Sequence, residues 1–209
     1  RKIFNKILEN RMKTFVKLDP WQSSFQQGKR GSDNFYALHE VLRWHARARR
    51  KKAKPDPLYV GVFDFSKAFD RVSVPVLISK LKKQGVCGRL LASLRSMFEN
   101  RQSQVRVNNK LSEKFPVKRG VAQGCPMSPL FFNIYVNDLL EKVRAEGLGV
   151  KVGHAVLAAL AFADDLVLCG EFDTMQRCIK ILEEWCGANG FKINVDKCAM
   201  MPVGMTKNM

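Results

Sequence analysis

The chain has 209 residues, enough for one domain or two small subdomains with a true core. Hydrophobic residues make up 46%, which excludes a disordered tail, and a formal charge of +17 implies an anionic partner, nucleic acid or an anionic membrane surface. The longest uncharged apolar stretch, Ala155 to Ala163, is far too short to cross a bilayer.

Charge is concentrated at the start. Residues 1–54 carry 15 Lys and Arg against four acids, a net +11. Ile3, Phe4, Ile7, Leu8, Met12 and Phe15 recur at helical spacing, and Asp19-Pro20 stops that pattern. Residues 22–32 read as a polar loop. Asn34 is placed to cap a second helix with Phe35, Leu38, Leu42 and Trp44 on its inner face. It runs into Arg43–Lys54, seven Lys or Arg and no acid. Such a run serves equally as a solvated helix end or as a phosphate contact. Arg43, Arg47, Arg49, Arg50, Lys51 and Lys52 are its candidate nucleic-acid ligands.

Leu58–Phe63 is apolar, aromatic and β-branched and ends at Asp64, a buried strand delivering a carboxylate. Ser73 and Pro75 open a helix that Gly85 closes. Residues 88–98 form another, with Leu90, Leu91, Leu94, Met97 and Phe98 as its stripe. Residues 104–107 and 115–117 read as a hairpin with Asn108-Asn109 at a turn. Ser128-Pro129 opens a helix to about residue 145. Val156–Ala161 and Leu166–Cys169 are two apolar runs around Asp164-Asp165. Asp173 starts a helix with Cys178, Ile179, Leu182, Trp185 and Cys186 on one face, closed by Gly187 or Gly190. Lys192–Val195 reads as a short strand. Few strands among many helices predict α+β, an antiparallel sheet covered on one face by helices.

Adjacent carboxylates raise each other's pKa unless a cation joins them. Alone, Asp164-Asp165 fits a polar turn better than a metal site. Asp64 changes that balance. Three carboxylates at two strand ends can neutralise two Mg²⁺ and leave positions for phosphate oxygens. Cys87, Cys125, Cys169, Cys178, Cys186 and Cys198 include no CxxC pair, so reduced, mostly buried thiols of an intracellular protein are expected.

Four segments then stand in an informative order: Val62–Val72, Gly120–Leu130, Phe162–Asp165 and Gly190–Lys197. They resemble the first palm motif, the nucleotide-pocket motif, the metal-binding hairpin and the lysine motif of reverse transcriptases. The wording is closest to the non-LTR retrotransposon enzymes. The resemblance implies a right-hand polymerase fingers-palm fold, α+β, with an antiparallel palm sheet packed on helices. It implies fingers over residues 1–57 and a palm over 58–209, with an inserted fingers hairpin near 100–120. A chain ending soon after the lysine motif and beginning mid-pattern implies an excised piece lacking the thumb. The rest would be a larger polypeptide, with an endonuclease as one flanking domain, and nuclear if the element is eukaryotic.

The implied reaction is addition of a dNTP to a DNA primer 3′-hydroxyl on an RNA template, with two Mg²⁺ or with Mn²⁺ in their place. No membrane partner is implied. Asp64 and Asp164 would hold both metals, Asp165 would assist one, and the Phe65 carbonyl would join them. Lys197 is the implied proton donor to pyrophosphate, and a surface lysine otherwise. Phe69 stands where the family keeps its steric gate against a ribose 2′-hydroxyl; without the resemblance it reads as core. Gln123 and Gly124 would lie against the incoming nucleotide, or be ordinary loop residues.

The chain also departs from the family. The strand that usually opens the fingers is absent. The loop that usually reads Gly-Phe-Arg reads Ser24-Phe25-Gln26, leaving Lys29 or Arg30 to replace the missing cation. A catalytically inactive nucleic-acid-binding scaffold and an intron maturase polymerase domain are the competing functions.

Overall fold

The structure is a computed structural model that describes residues 2–49 and 56–204. In chain order the elements are α1 (Lys2–Lys13), α2 (Gly31–Arg49), β1 (Leu58–Asp64), α3 (Ala68–Arg71), α4 (Val74–Lys83) and α5 (Gly88–Ser96). Four short strands follow: β2 (Gln102–Ser103), β3 (Arg106–Val107), β4 (Lys110–Leu111) and β5 (Phe115–Pro116). Then come α6 (Ser128–Ala145), β6 (Val150–Val152), β7 (Ala155–Leu157), β8 (Ala159–Phe162), β9 (Asp165–Gly170), α7 (Phe172–Asn189) and β10 (Ala199–Val203). They divide into two compact units, residues 1–17 with 69–135, and residues 18–68 with 136–204 of the described chain.

In the first unit α5 packs against α1 and α4. Leu8, Met12, Leu77, Leu81, Leu94 and Phe132 are its buried centre. Pro75 lies in the first turn of α4 and Gly85 follows its end at φ +89°, the predicted boundaries. In the ribbon β2–β5 the expected hairpin forms with different partners: Arg106–Val107 pair with Lys110–Leu111, and Phe115–Pro116 return against Gln102–Ser103 and not against residues 104–107. Asn108 and Asn109 are both left-handed at φ 45° and 62°, the signature of a primed hairpin turn. The ribbon's Val105, Val107, Leu111 and Phe115 are all exposed.

The expected stripe of α1 is corrected. Leu8 and Met12 point inward, but Ile3, Phe4, Ile7 and Phe15 are exposed. Asn5 and Glu9 take the inner positions instead. Glu9 is tied to Lys6 at 3.0 Å and Lys13 at 2.5 Å, which makes its burial tolerable.

In the second unit β10-β1-β9-β8 form one antiparallel sheet. Val60 packs with Val41 of α2, and its neighbour Gly61 faces Met175 of α7. Successive strand residues point to opposite faces, so helices cover both faces and not one. A Cβ on Gly61 would lie 2.7 Å from the Phe63 ring, which explains glycine inside a strand. On α2, Leu38 and Leu42 pack as expected, whereas Phe35 and Trp44 are exposed and Val41 is the buried residue. α7 buries Met175, Cys178, Leu182, Trp185 and Cys186 and ends at Gly190, φ 70°, with Gly187 inside the helix. Burial pushes the thiols of Cys169, Cys178 and Cys186 up to about 12, 11 and 11, so they stay protonated.

Near the end of the described chain the expected strand at Lys192–Val195 is a single bridge, Ile193 to Phe65, followed by a 3₁₀ turn over Val195–Lys197. The strand proper is β10, which carries Pro202 on an edge of the sheet, where a missing N–H is tolerated. Among the described residues no helix is long and apolar enough to cross a membrane.

Candidate active site

β1 and β9 pair with Asp64 directly opposite Asp165. Register partners share a face, with Cβ atoms about 5 Å apart. Asp164 sits in the two-residue turn that joins β8 to β9, next to Ala163 at φ 56°. The three acids therefore gather at one end of the sheet. The Asp164 carboxyl is raised above the ordinary Asp value, first by burial and then by the charges of Asp165 and Asp64. Its own backbone N–H and Lys197 pull the other way.

The strand stub at Ile193 steadies Asp64. Asn194 donates its backbone N–H to the Asp64 carbonyl at 2.8 Å and its side-chain amide to the Asp64 carboxylate at 3.2 Å. Lys197 is 3.9 Å from the same carboxylate with its side chain 68% exposed, a loose contact. Both bonds flanking the Phe65–Ile193 bridge are made by Ser66 and Asp64. That pattern turns the Phe65 carbonyl to the opposite edge of its strand, the β9 side.

The turn itself is braced from a segment that reads as a loop. Trp21, Gln22, Ser23 and Ser24 are buried, and Gln22 bridges to Ala161 of β8. The Ala163 N–H donates to the Ser24 hydroxyl at 2.9 Å and to the Gln22 side-chain oxygen at 3.3 Å. Asp19 anchors this segment. Its side chain, fully buried, accepts from Arg144 at 2.8 Å and from the Trp21 N–H at 3.0 Å. Sequence reasoning misses Asp19, Gln22, Ser24 and Asn194 as site residues. The one available signal is Trp21 and Phe25 flanking a short polar run.

An oxygen-only, partly exposed donor set in which Asp164 is raised first by burial and then by the charges of Asp165 and Asp64 suits a hard divalent cation. Among the described residues no three His, Cys, Asp or Glu already stand in a metal-holding group. Mutual repulsion of like charges favours that spread.

The first unit holds the other candidates. Phe69 stacks on Phe132, centroids 4.8 Å apart and planes 14° apart, and is half-buried. Gly120 donates to the Val72 carbonyl at 2.8 Å and Val121 to that of Phe69 at 3.0 Å. A Cβ on Gly120 would lie 3.0 Å from the Asp70 Cα, at φ 85°, so only glycine fits. Two motifs distant in sequence are thus laced together, and Gln123 and Gly124 follow them, exposed.

Lys29 is committed to the loop, donating to the carbonyls of Pro20 at 2.9 Å and Gln22 at 2.8 Å. Burial lowers its pKa, opposed by Asp19 and Asp33. Arg30 is exposed. On α2, Arg43 is exposed and bonded to Glu40 at 2.6 Å, and Arg47 is exposed. Arg49 ends the helix, and Arg50, Lys51 and Lys52 lie outside the described residues.

A sheet that gathers carboxylates at a hairpin, flanked by helices, is the palm of a nucleic-acid polymerase. The chain belongs to the family described as reverse transcriptase (RNA-dependent DNA polymerase), which matches residues 1–206. It is 32% identical over 195 residues to the "Retrovirus-related Pol polyprotein from type-2 retrotransposable element R2DM" of Drosophila melanogaster, covering 93% of this chain and 18% of that one. It is 26% identical to the "RNA-directed DNA polymerase from mobile element jockey" of Drosophila funebris, covering 95% and 22%. The fold is similar to telomerase from Candida albicans, solved with a fragment of telomeric RNA, at TM-score 0.67, 16% identity, and 97% and 34% coverage. The chain thus spans about a fifth of the length of the curated relatives it matches.

Proposed function

We propose that this chain is the catalytic core of an RNA-directed DNA polymerase from a non-LTR retroelement protein. It would add dNTPs to a DNA primer 3′-hydroxyl on an RNA template. The observation that carries the reading is the register of Asp64 on Asp165 beside the Asp164 turn. Asp64, Asp164 and the Phe65 carbonyl would hold two Mg²⁺, or Mn²⁺, with Asp165 assisting. Bound there, the cations neutralise phosphate charge and make the 3′-hydroxyl a better nucleophile.

This chain's own residues supply positioning. Asn194 fixes Asp64, and Ser24 and Gln22 fix the turn that carries Asp164. Lys197, already drawn to Asp64, gives its proton or its charge to the leaving pyrophosphate. Phe69, backed by Phe132, presents one face to the sugar and excludes a 2′-hydroxyl. Gln123 and Gly124 lie against the nucleotide, and Arg30 is better placed than Lys29 to meet its phosphates. Arg43, Arg47 and Arg49 contact the nucleic-acid backbone, with Arg50, Lys51 and Lys52 continuing the same run. Residues 1–57 and the ribbon near 100–120 serve as fingers and the remainder as palm, a division by role that differs from the two compact units.

Primer extension with Mg²⁺ by the full-length parent tests the reading. Asp64→Asn and Asp164→Asn are each expected to lower nucleotide addition by at least about a thousandfold while the fold persists. Near-normal extension by either variant would refute the metal assignment. Phe69→Val is expected to admit ribonucleotides; an unchanged dNTP preference in an active enzyme would return Phe69 to the core.

A further inference from the structure

Trp44 lies in the basic end of α2, yet it stands outside the core and is 41% exposed. An indole left at a wet surface among cations can take the flat face of a base. Arg47, exposed, follows it by three positions and so lies beside it on the helix surface.

Trp44 lines a cavity of about 290 Å³ in the second unit, close to the lower end of small-ligand sites. Leu58 and Val150 form its apolar floor, both held in the packing between α2 and the sheet. His45 stands beside them and donates from Nε2 to the Asp56 carbonyl at 3.0 Å, which fixes that wall. Lys151 and Glu171 complete the rim, both exposed. Glu171 precedes α7 without a side-chain bond to the helix end, so its carboxylate is not spent there. An apolar slot with an aromatic wall, an acceptor and a cation has the chemistry of a nucleobase. The ring stacks, an exocyclic amine donates to the carboxylate, and the attached phosphate meets the ammonium. A paired base cannot enter, because its faces and its pairing edge are already taken.

Leu58 opens β1 and Asp64 ends it, so the cavity stands about 20 Å from the acids. Its guest is therefore not the incoming nucleotide. We propose that this cavity is a subsite for one unpaired base of a single-stranded nucleic acid, stacked on Trp44, with flanking phosphates on Lys151 and Arg47. The subsite rests on the reading that the basic end of α2 meets nucleic acid. It adds a discrimination that phosphate contacts lack, single strand over duplex.

The test reads the tryptophan emission of the chain, because the other two tryptophans, Trp21 and Trp185, are buried. A short labelled oligoadenylate RNA, a labelled G·C-rich RNA duplex of the same length, and AMP are titrated without divalent cations, with anisotropy of the labels as the second readout. The oligoadenylate should quench the emission saturably, and the duplex should bind without quenching. Trp44→Ala should weaken the oligoadenylate about tenfold and leave the duplex unchanged, and Trp44→Phe should recover most of the loss, since any flat ring stacks. A folded Trp44→Ala that binds the oligoadenylate like wild type overturns the proposal, as does wild-type emission that the strand leaves unchanged. Equal weakening of strand and duplex overturns it too, and makes Trp44 a support of the surface alone. Quenching by AMP at the same concentrations as the strand overturns it in favour of a free nucleotide. Should Trp44→Ala fail to fold, Trp44→Phe decides: strand binding that persists with the quench abolished supports the subsite, and a quench that survives overturns it. No catalysis is read, so failure here and failure of the polymerase reading in primer extension are separate results.

Discussion

Asp19 and Asp164 lie in the same compact unit and answer to opposite rules. Asp19, fully buried, has an Arg144 partner at 2.8 Å and a backbone N–H at 3.0 Å. Burial raises the pKa of Asp164, and the like charges of Asp165 and Asp64 raise it further. The anchor region around Asp19 is satisfied within the chain. The tip around Asp164 is less well satisfied: only its own backbone N–H and Lys197 favour its charge, against burial and two neighbouring carboxylates. Between them run Gln22 and Ser24, which convert the rigidity of the anchor into a fixed turn at the tip.

The sharpest way to break this comparison is to neutralise each acid. Asp19→Ala removes the acceptor of the half-exposed Arg144 and leaves the Trp21 N–H unpaired, and stability should fall by about 2 kcal/mol in a urea titration. A loss no larger than that of an ordinary surface substitution would remove Asp19 from the anchor. Ser24→Ala should cost less, about 1 kcal/mol, since the Ala163 N–H keeps its longer bond to Gln22. Its primer extension should slow more than its stability loss explains, because the turn carrying Asp164 loosens. Extension at the wild-type rate would detach Ser24 from the tip.

Asp164→Asn should do the reverse of Asp19→Ala, and by the smallest amount. The folded pKa of Asp164 is raised above its unfolded value. Its contribution is therefore whole below the unfolded pKa and is lost as pH rises through the folded one. Wild type should lose ground to Asp164→Asn between about pH 4 and pH 7, by about 0.5 kcal/mol or less for a half-exposed group. Thermal melts at low salt across that range would show it. A variant less stable than wild type at neutral pH would mean that the chain itself satisfies Asp164.

The acid-bearing strands are legible in the sequence because an apolar run ending in Asp leaves the carboxylate at a strand end. Asn108-Asn109 is legible because few residues tolerate two successive positive φ angles. What escapes is burial that composition disguises. Gln22, Ser23 and Ser24 look like a loop, yet hydrogen bonds to β8 and to the Ala163 turn let polar side chains sit where water is excluded. Helical spacing located α1 but not its inner face, because ion pairs buried Glu9 while Ile3 and Phe4 turned outward. β10 escaped because Met200-Met201-Pro202 neither alternates nor favours a strand, and pairing with β1 decides it.

Metal binding by the chain itself is the most direct test of the acid tip. Mn²⁺ would be titrated into wild type, Asp64→Asn and Asp164→Asn, with the free ion followed by electron paramagnetic resonance. Wild type should bind saturably, and each variant should bind about tenfold more weakly or worse, with its fold unchanged by circular dichroism. Equal Mn²⁺ affinity in all three proteins would contradict the account, whatever their activities.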